Sequence, residues 1–386
     1  MDKPLTTNPL AGAGKVSWLF FVLVALAGLG MIAGLSLRSS RPTSTVAGPV
    51  VLTEVARAGT GHQRAERIAF ADGGRVLAVT CPRYNRVVLY RVTDHETLEP
   101  IRDVELAGRP VALAAAADRF YVLQNPSGDA RHLEPGWWET IDLRGNRIGS
   151  RFVTGFYPDD VALMPDGKHA LVLTSGRAEG GPHRPAPALD VVELNDGAGA
   201  PRVAGRLTFE GTNDDPARLS LAASGRCAAV TLWGSNQVAA VDLYEPSRPK
   251  LVGRSPLPER EVPYPSRSGG DAILMPVDSR SEAVWADYTP SEGAPAEAFV
   301  ACTLPHESGL RLYHAATGRA LGELTLHGPL NVGRIKPTGL AFSSERGLFA
   351  LATRSGGVHL IAVQPRYDLA VPTTGLAAAE PAKTRR

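Results

Sequence analysis

One phrase recurs along most of this chain, and it limits the choice of fold more than any other feature of the sequence. An apolar run, a polar turn and a second apolar run occur as IAFADGGRVLAV (68–79), VALAAAADRFYV (111–122), VALMPDGKHALV (161–172), LSLAASGRCAAV (219–230), DAILMPVDSRSE (271–282) and LAFSSERGLFAL (340–351). Asp-Gly and Ser-Gly at several of the turns supply the positive φ that a tight hairpin requires. A third apolar run follows each time, as RVVLYRV (86–92), WWETIDL (137–143), ALDVVEL (188–194), QVAAVDL (237–243), LRLYHAA (310–316) and GVHLIAV (357–363). Turns such as Arg144-Gly145-Asn146, Asn195-Asp196-Gly197 and Ala316-Thr317-Gly318 lead towards fourth runs: RIGSRFV (147–153), RVAGRLTF (202–209), KLVGRSPL (250–257) and ALGELTL (320–326). Equivalent positions Phe70, Leu113, Leu163, Leu221, Leu274 and Phe342 lie 43, 50, 58, 53 and 68 residues apart.

Four strands per unit at that spacing is the blade of a β-propeller. A sandwich or a parallel β-helix also has many short strands, but neither repeats the same four-strand phrase. The expected fold class is therefore all-β, a β-propeller of four-stranded blades, six by this count. AVWADY (283–288) and AFVACTL (298–304) both read as strands inside an irregular fifth unit, which keeps seven blades as the alternative. The sixth unit has only three strands, while VVLTEVA (50–56) precedes the first unit without partners. Pairing that orphan with the last unit would close the ring and remove an exposed sheet edge.

The stretch VAAVDLYEPSRPKLVGRSPL (238–257) resembles the LVIVD repeat, and PDDVALMPDGKHALVLT (158–174) resembles the YVTN and WD40-like repeats of bacterial propellers. Ile141-Asp142-Leu143 and Val241-Asp242-Leu243 match the apolar-Asp-apolar strand end of those repeats, whereas the Trp-Asp dipeptide of WD40 blades proper is absent. The resemblance covers roughly residues 50–370 and implies the fold. For function it implies only a range, which includes binding scaffolds and enzymes such as lactonases and quinone-cofactor dehydrogenases.

Ahead of the repeats, residues 16–37 read VSWLFFVLVALAGLGMIAGLSL, twenty-two residues without a charge. At about 1.5 Å per residue such a helix spans a hydrocarbon core of about 30 Å. The run is longer than the apolar region of a cleaved signal peptide, about 7–15 residues, and the small-residue candidate Thr45-Val46-Ala47 lies well beyond it. Residues 1–15 are then a short tail, 16–37 a single transmembrane helix, 38–49 a polar linker, 50–370 the propeller and 371–386 a disordered tail. Lys3 and Lys15 balance Arg38 and Arg41 across the segment, so charge does not set orientation. An uncleaved anchor behind a short tail places the domain on the periplasmic or extracellular side.

Lys and Arg number 41 against 39 Asp and Glu, a formal charge of +2, and no basic stripe of the kind a nucleic-acid binder needs is present. Nucleic acid is excluded as a partner. Cys81, Cys227 and Cys302 are far apart, with no C-x-x-C spacing, and read as small buried apolar residues. None of the nine histidines stands at H-E-x-x-H spacing, and G-x-S-x-G, Walker A and G-x-G-x-x-G motifs are missing. His169 reads as exposed beside its turn. His314 and His359 hold comparable late positions in third strands and read as facing a neighbouring sheet or solvent.

Propellers bind ligands at the mouth of the central channel, where the loops entering the innermost strands converge. The candidate ligand-binding rim is Arg109, Asp159, Asp160, Asp214, Asp215, Asp271 and Lys336. Its carboxylates could hold a divalent cation, or could cap tight turns by accepting backbone hydrogen bonds. No catalytic residue, metal or cofactor is assigned. Long loops at 124–137 and 175–188, and a Pro-rich connection at 255–270, are natural places for recognition. Trp137, Trp138, His183 and Arg184 are the candidate partner-binding residues there, unless the tryptophans pack between blades and cover a strand edge. The function expected is that of a membrane-anchored module binding a protein or a cell-envelope component. An enzyme or a small-ligand sensor using the channel mouth is the alternative.

Overall fold

A computed structural model describes residues 50–127, 134–176, 186–194, 200–210, 214, 216–222, 224–232, 235, 237–256, 283–288, 297–304, 309–314, 320–326 and 336–365. For 283–288 and 297–304 it describes the backbone alone. The strands are β1 (Val50–Gly59), β2 (Ile68–Ala71), β3 (Val76–Cys81), β4 (Arg86–Val92), β5 (Leu98–Glu105), β6 (Arg109–Ala115), β7 (Arg119–Asn125) and β8 (Trp137–Asp142). They continue as β9 (Arg147–Val153), β10 (Pro158–Leu163), β11 (His169–Thr174), β12 (Ala188–Glu193), β13 (Arg202–Thr208), β14 (Pro216–Leu221), β15 (Cys227–Leu232) and β16 (Gln237–Asp242). The last are β17 (Lys250–Pro256), β18 (Ala283–Tyr288), β19 (Glu297–Leu304), β20 (Gly309–His314), β21 (Ala320–Thr325), β22 (Pro337–Ser343), β23 (Leu348–Thr353) and β24 (Gly357–Pro365).

Among the described residues these strands form six antiparallel sheets of four: β2–β5, β6–β9, β10–β13, β14–β17, β18–β21, and a closing sheet in the order β1-β24-β23-β22. Five of the six have described side chains on every strand and pack as consecutive propeller blades. In the sheet β18–β21, side chains are described only on parts of the outer two strands.

The second strand of a blade has neighbours on both faces, and its composition reflects this. Val76–Cys81 and Leu348–Thr353 are buried at every position. Hydrophobic clusters fill the spaces between sheets. One joins Leu77, Val79 and Tyr90 of the first blade to Ala350, Val358 and Leu360 of the closing blade. Others join Leu89 to Phe120 and Ile141, Trp138 to Val172 and Val192, and Leu171 and Val191 to Val230 and Val241. A further cluster places Leu310, Leu312 and Leu324 of β20 and β21 against Leu52, Leu351 and Ile361 of the closing blade.

The orphan strand does close the last sheet. β1 pairs antiparallel with β24 from Val50↔Pro365 to Gly59↔Gly357, so the two ends of the repeat array share one blade. A correction concerns the fifth unit. Its inner strand is AVWADY, paired with β19 from Ala283↔Cys302 to Tyr288↔Glu297. The segment 271–282, assigned to that role from the sequence, lies outside the described residues, and both strands that made the unit look irregular belong to one sheet.

Two irregularities repeat with the blades. Between the third and fourth strands the register slips at Leu89/Tyr90, Trp138/Thr140, Val191/Val192, Ala240/Val241, Leu312/Tyr313 and, in the closing blade, between Glu54 and Ala56. One extra residue on the outer strand, two in the second blade, bends it and raises the local twist. A second bulge follows Pro110, Pro158, Pro216 and Pro337 at the start of the inner strand. Proline has no N–H for the ladder, so it belongs where pairing begins or slips.

Among the described residues no helix is long and apolar enough to cross a membrane, and residues 16–37 lie outside them.

Candidate functional site

Antiparallel alternation brings the start of each inner strand, the end of each second strand and the start of each third strand to the same end of a blade. At that end, between the first and second blades, lies a cavity of about 610 Å³. Arg64 and Glu66, which enter β2, and Arg109, which opens β6, supply its charges together with Arg83 from the β3–β4 turn. Asn85 from the same turn, Asn125 and Ser127 at the end of β7, and Tyr157 before β10 add polar groups. Pro82 and Pro126 complete the lining.

Backbone hydrogen bonds to neighbouring strands hold this rim. Arg64 N donates to Arg354 O and Glu66 N to Thr80 O, each at 2.9 Å; Leu106 N donates to Asn85 O at 2.8 Å and Ser175 N to Tyr157 O at 3.0 Å. Arg64, Asn85 and Tyr157 have φ of 60°, 53° and 51°, the left-handed region that non-glycine residues rarely adopt. Asn85 Nδ2 donates to Ser127 Oγ at 3.0 Å across the two blades. Asn125 Nδ2 donates to Pro158 O at 3.4 Å, while its buried Oδ1 has no hydrogen-bond partner.

Along the inner strands the charges are committed to the scaffold. Arg67 Nε donates to Val111 O at 3.2 Å, and its Nη2 lies 3.8 Å from Asp160 Oδ1. Asp160 Oδ2 accepts from Leu219 N at 2.9 Å. Arg67 and Asp160 thus tie together the inner strands of four successive blades.

The rim residues expected from the sequence are thereby separated. Arg109 opens the cavity. Asp159 is half-buried at the bulge after Pro158. Asp160 is a structural link between inner strands. Asp214 is buried, with Oδ1 accepting from Ser235 Oγ at 3.1 Å and Oδ2 2.7 Å from Arg254 Nη2, so it joins inner to outer strand of its own blade. Lys336 is exposed, and its carbonyl accepts from Arg354 N at 2.8 Å. Asp215, Asp271, His183 and Arg184 lie outside the described residues. Among the described residues, no group of three or more His, Cys, Asp or Glu side chains is placed to hold a metal ion.

Trp137 and Trp138 are not an exposed anchor. Trp138 is 0% exposed and packs on Tyr121 and Phe152, with ring centroids 5.7 and 4.6 Å away. Trp137 is buried beneath the Arg151 guanidinium, 4.4 Å from its ring centroid. Cys81 is buried as expected, but Cys227 is exposed. His169 is half-buried, with Nδ1 2.6 Å from Asp166 Oδ2.

The sequence reading also missed a polar pair that recurs across the blades. The third residue of each third strand is Val88, Glu139, Asp190, Ala239, Arg311 or His359. Asp190 faces Arg206, Arg311 faces Glu323 and His359 faces Arg57 in register. Glu139 reaches Arg151 (2.7 Å) across the bulge, and Arg206 Nε donates to Asp190 Oδ1 at 2.6 Å. That hydrogen bond raises the Arg206 pKa above its ordinary value despite partial burial. His359 Nδ1 lies 2.7 Å from Glu54 Oε1, and Arg57 Nε donates to the same oxygen at 2.8 Å. Burial alone would raise the Glu54 carboxyl, but the hydrogen bonds from His359 and Arg57 outweigh it and hold the group below the usual carboxylate range. The signal was present in RVAGRLTF, KLVGRSPL and ALGELTL, where Gly is followed by Arg or Glu at the equivalent place.

Fold and rim together define a β-propeller with a cationic cavity at the mouth-side end of two blades. No family model and no curated relative matches the chain, so the propeller fold is shown but membership of the LVIVD or YVTN repeats is not. Solved structures do match. One is Kuenenia stuttgartiensis hydrazine synthase, with a TM-score of 0.52 and 13% identity over 80% of this chain and 97% of that one. A functionally unknown protein from Desulfotomaculum acetoxidans matches with a TM-score of 0.47 and 12% identity, over 74% and 95% of the two chains. The β-propeller domain of Myceliophteria thermophila Cps50 (Swd1) matches with a TM-score of 0.40 and 13% identity, over 84% and 96%. At these identities the likeness concerns the fold alone.

Proposed function

We propose that this chain is a membrane-anchored, six-bladed propeller that acts as a binding module for a protein or cell-envelope partner. Its recognition face is the rim between the first and second blades. Residues 16–37 tether it, and the propeller stands on the periplasmic or extracellular side. The observation that carries the reading is the division of charge. Asp160 and Asp214 are held in pairs that join strands or blades. Arg64, Arg83, Arg109 and Glu66 surround an open cavity without an ion pair among the described residues. A site that displays unpaired charge on a rigid ring is built to meet a complementary surface.

The test is capture from the solubilised native membrane with the full chain and with the triple variant Arg64→Glu/Arg83→Glu/Arg109→Glu, followed by mass spectrometry and stoichiometry. A stoichiometric partner retained by the parent and lost by the variant supports the reading. An identical captured set with both proteins removes it.

A further inference from the structure

We propose that the cavity between the first and second blades binds a small organic dianion, and that Arg64, Arg83 and Arg109 are the residues that hold it. The proposal deepens the reading of this rim as the recognition face, by naming the chemical group that the face takes.

Charge is the first argument. Three guanidinium groups against the Glu66 carboxylate leave the lining at a formal +2. Cations gathered around one concavity repel each other, although Arg83 and Arg109 are exposed and keep much of their hydration. A ligand carrying two negative charges restores neutrality. Arginine suits the task because its planar fork of N–H donors matches carboxylate and phosphate oxygens two at a time.

Size is the second. A volume of about 610 Å³ falls within the roughly 300–1,000 Å³ of ordinary small-molecule sites. The space admits more than a lone inorganic anion, and an organic skeleton that carries two acid groups or a phosphate ester fits within it. Asn85, Asn125 and Ser127 then offer amides and a hydroxyl to the uncharged part of such a ligand.

The third argument is backbone strain. Among the described residues five non-glycine positions have positive φ, and three of them, Arg64, Asn85 and Tyr157, line this cavity. Left-handed backbone at an arginine or a tyrosine is disfavoured and persists where surrounding structure imposes it, most often at binding sites. Here it sets the direction in which the Arg64 and Tyr157 side chains leave the chain.

The experiment is titration calorimetry, with thermal unfolding alongside, on the full-length chain in detergent at constant ionic strength. The probes are succinate, glutarate and glycerol 3-phosphate, with dimethyl succinate as the uncharged control. Saturable binding of at least one dianion and none of the diester is expected, and the better of the two acid types identifies its source as carboxylate or phosphate. Arg64→Gln and Arg109→Gln each weaken binding by about ten- to hundredfold, the loss of one charged hydrogen-bonding partner. Arg91→Gln, an exposed substitution at the far end of β4, leaves it unchanged. No saturable binding up to millimolar concentration, or binding unaltered in both Arg64→Gln and Arg109→Gln, overturns the proposal. Loss of the membrane partner in the triple variant without binding of any dianion would sink this inference and spare the function proposed above. Dianion binding with partner capture unaffected would do the reverse.

Discussion

Leu52→Ala tests whether β1 holds the ring shut or merely lies along it. Leu52 is fully buried among Leu310, Leu312 and Leu324 on one side and Leu351 and Ile361 of its own blade on the other. Truncation removes three carbons from a packed interface between two sheets. Such changes cost about 2–5 kcal/mol, from lost transfer energy and from the cavity left behind. Near its midpoint a folded unit of roughly 320 residues has an unfolding entropy of about 0.7 kcal/mol/K, so the midpoint should fall by about 3–7 °C. Thr53 is the internal control, because it is half-buried on the alternate face of the same strand, and Thr53→Ala should stay within about 0.5 kcal/mol. The assay is urea and thermal unfolding of the full-length chain followed by intrinsic fluorescence, comparing Leu52→Ala, Thr53→Ala and the core variant Leu77→Ala. A Leu52→Ala protein that melts within 1 °C of the parent, while Leu77→Ala loses several degrees, would refute the claim that the first strand is part of the closing blade's core.

Three other outcomes follow from the same geometry. Glu54 has its pKa depressed in the folded protein, so its stabilisation is complete above the ordinary carboxylate range and fades as pH falls through the folded value. Parent stability should therefore decline on acidification below about pH 5, and Glu54→Gln should flatten that decline when unfolding midpoints are followed against pH. In the third blade, Arg206→Ala leaves the nearly buried Asp190 carboxylate without its partner and should cost about 1–3 kcal/mol. The double variant Asp190→Ala/Arg206→Ala should cost less than the single one, and a fully additive double-mutant cycle would contradict the pairing. Burial raises the Cys81 thiol to about 11 while Cys227 is exposed, so a thiol reagent near neutral pH should label Cys227 in the folded protein and reach Cys81 only on unfolding. Peptide mapping of the label checks this.

The strands were legible because burial on two faces leaves a plain mark. HALVLT and LFALAT are apolar runs too short for helices and bounded by turn residues, and they are second strands of blades. Closure by VVLTEVA was legible for a different reason, since an orphan strand at one end matched a missing strand at the other. The fifth unit was misread because DAILMPVDSRSE carries the apolar pattern as well as AVWADY does. Pairing with β19 distinguishes them, and pairing is a relation between segments.

The site divided in the same way. Arg109 could be found from its place at the entry of an inner strand. Arg64, Arg83 and Glu66 belong to no motif; the β2–β3 hairpin returns the β3–β4 turn to the entry of β2, and Arg109 joins them from the next blade. Asp160 and Asp214 carried the expected residue type in the expected place, yet their role depends on Arg67 and Arg254, contacts that only the folded backbone creates. Trp137 and Trp138 looked like anchors because a pair of tryptophans at a loop end fits either surface or core. Adjacent on β8, they point to opposite faces of the sheet, and both are buried.

By itself the sequence determined the all-β class, the four-strand repeat and the closing strand. These rest on features carried by the linear sequence: apolar runs of strand length, turn residues, the spacing of the repeats, and an unpartnered run at one end that matches a missing one at the other. Tertiary structure decided which charges join blades and which face the cavity. A charge's role is set by what lies within a few ångströms of it, and in a ring of blades those neighbours come from distant parts of the chain.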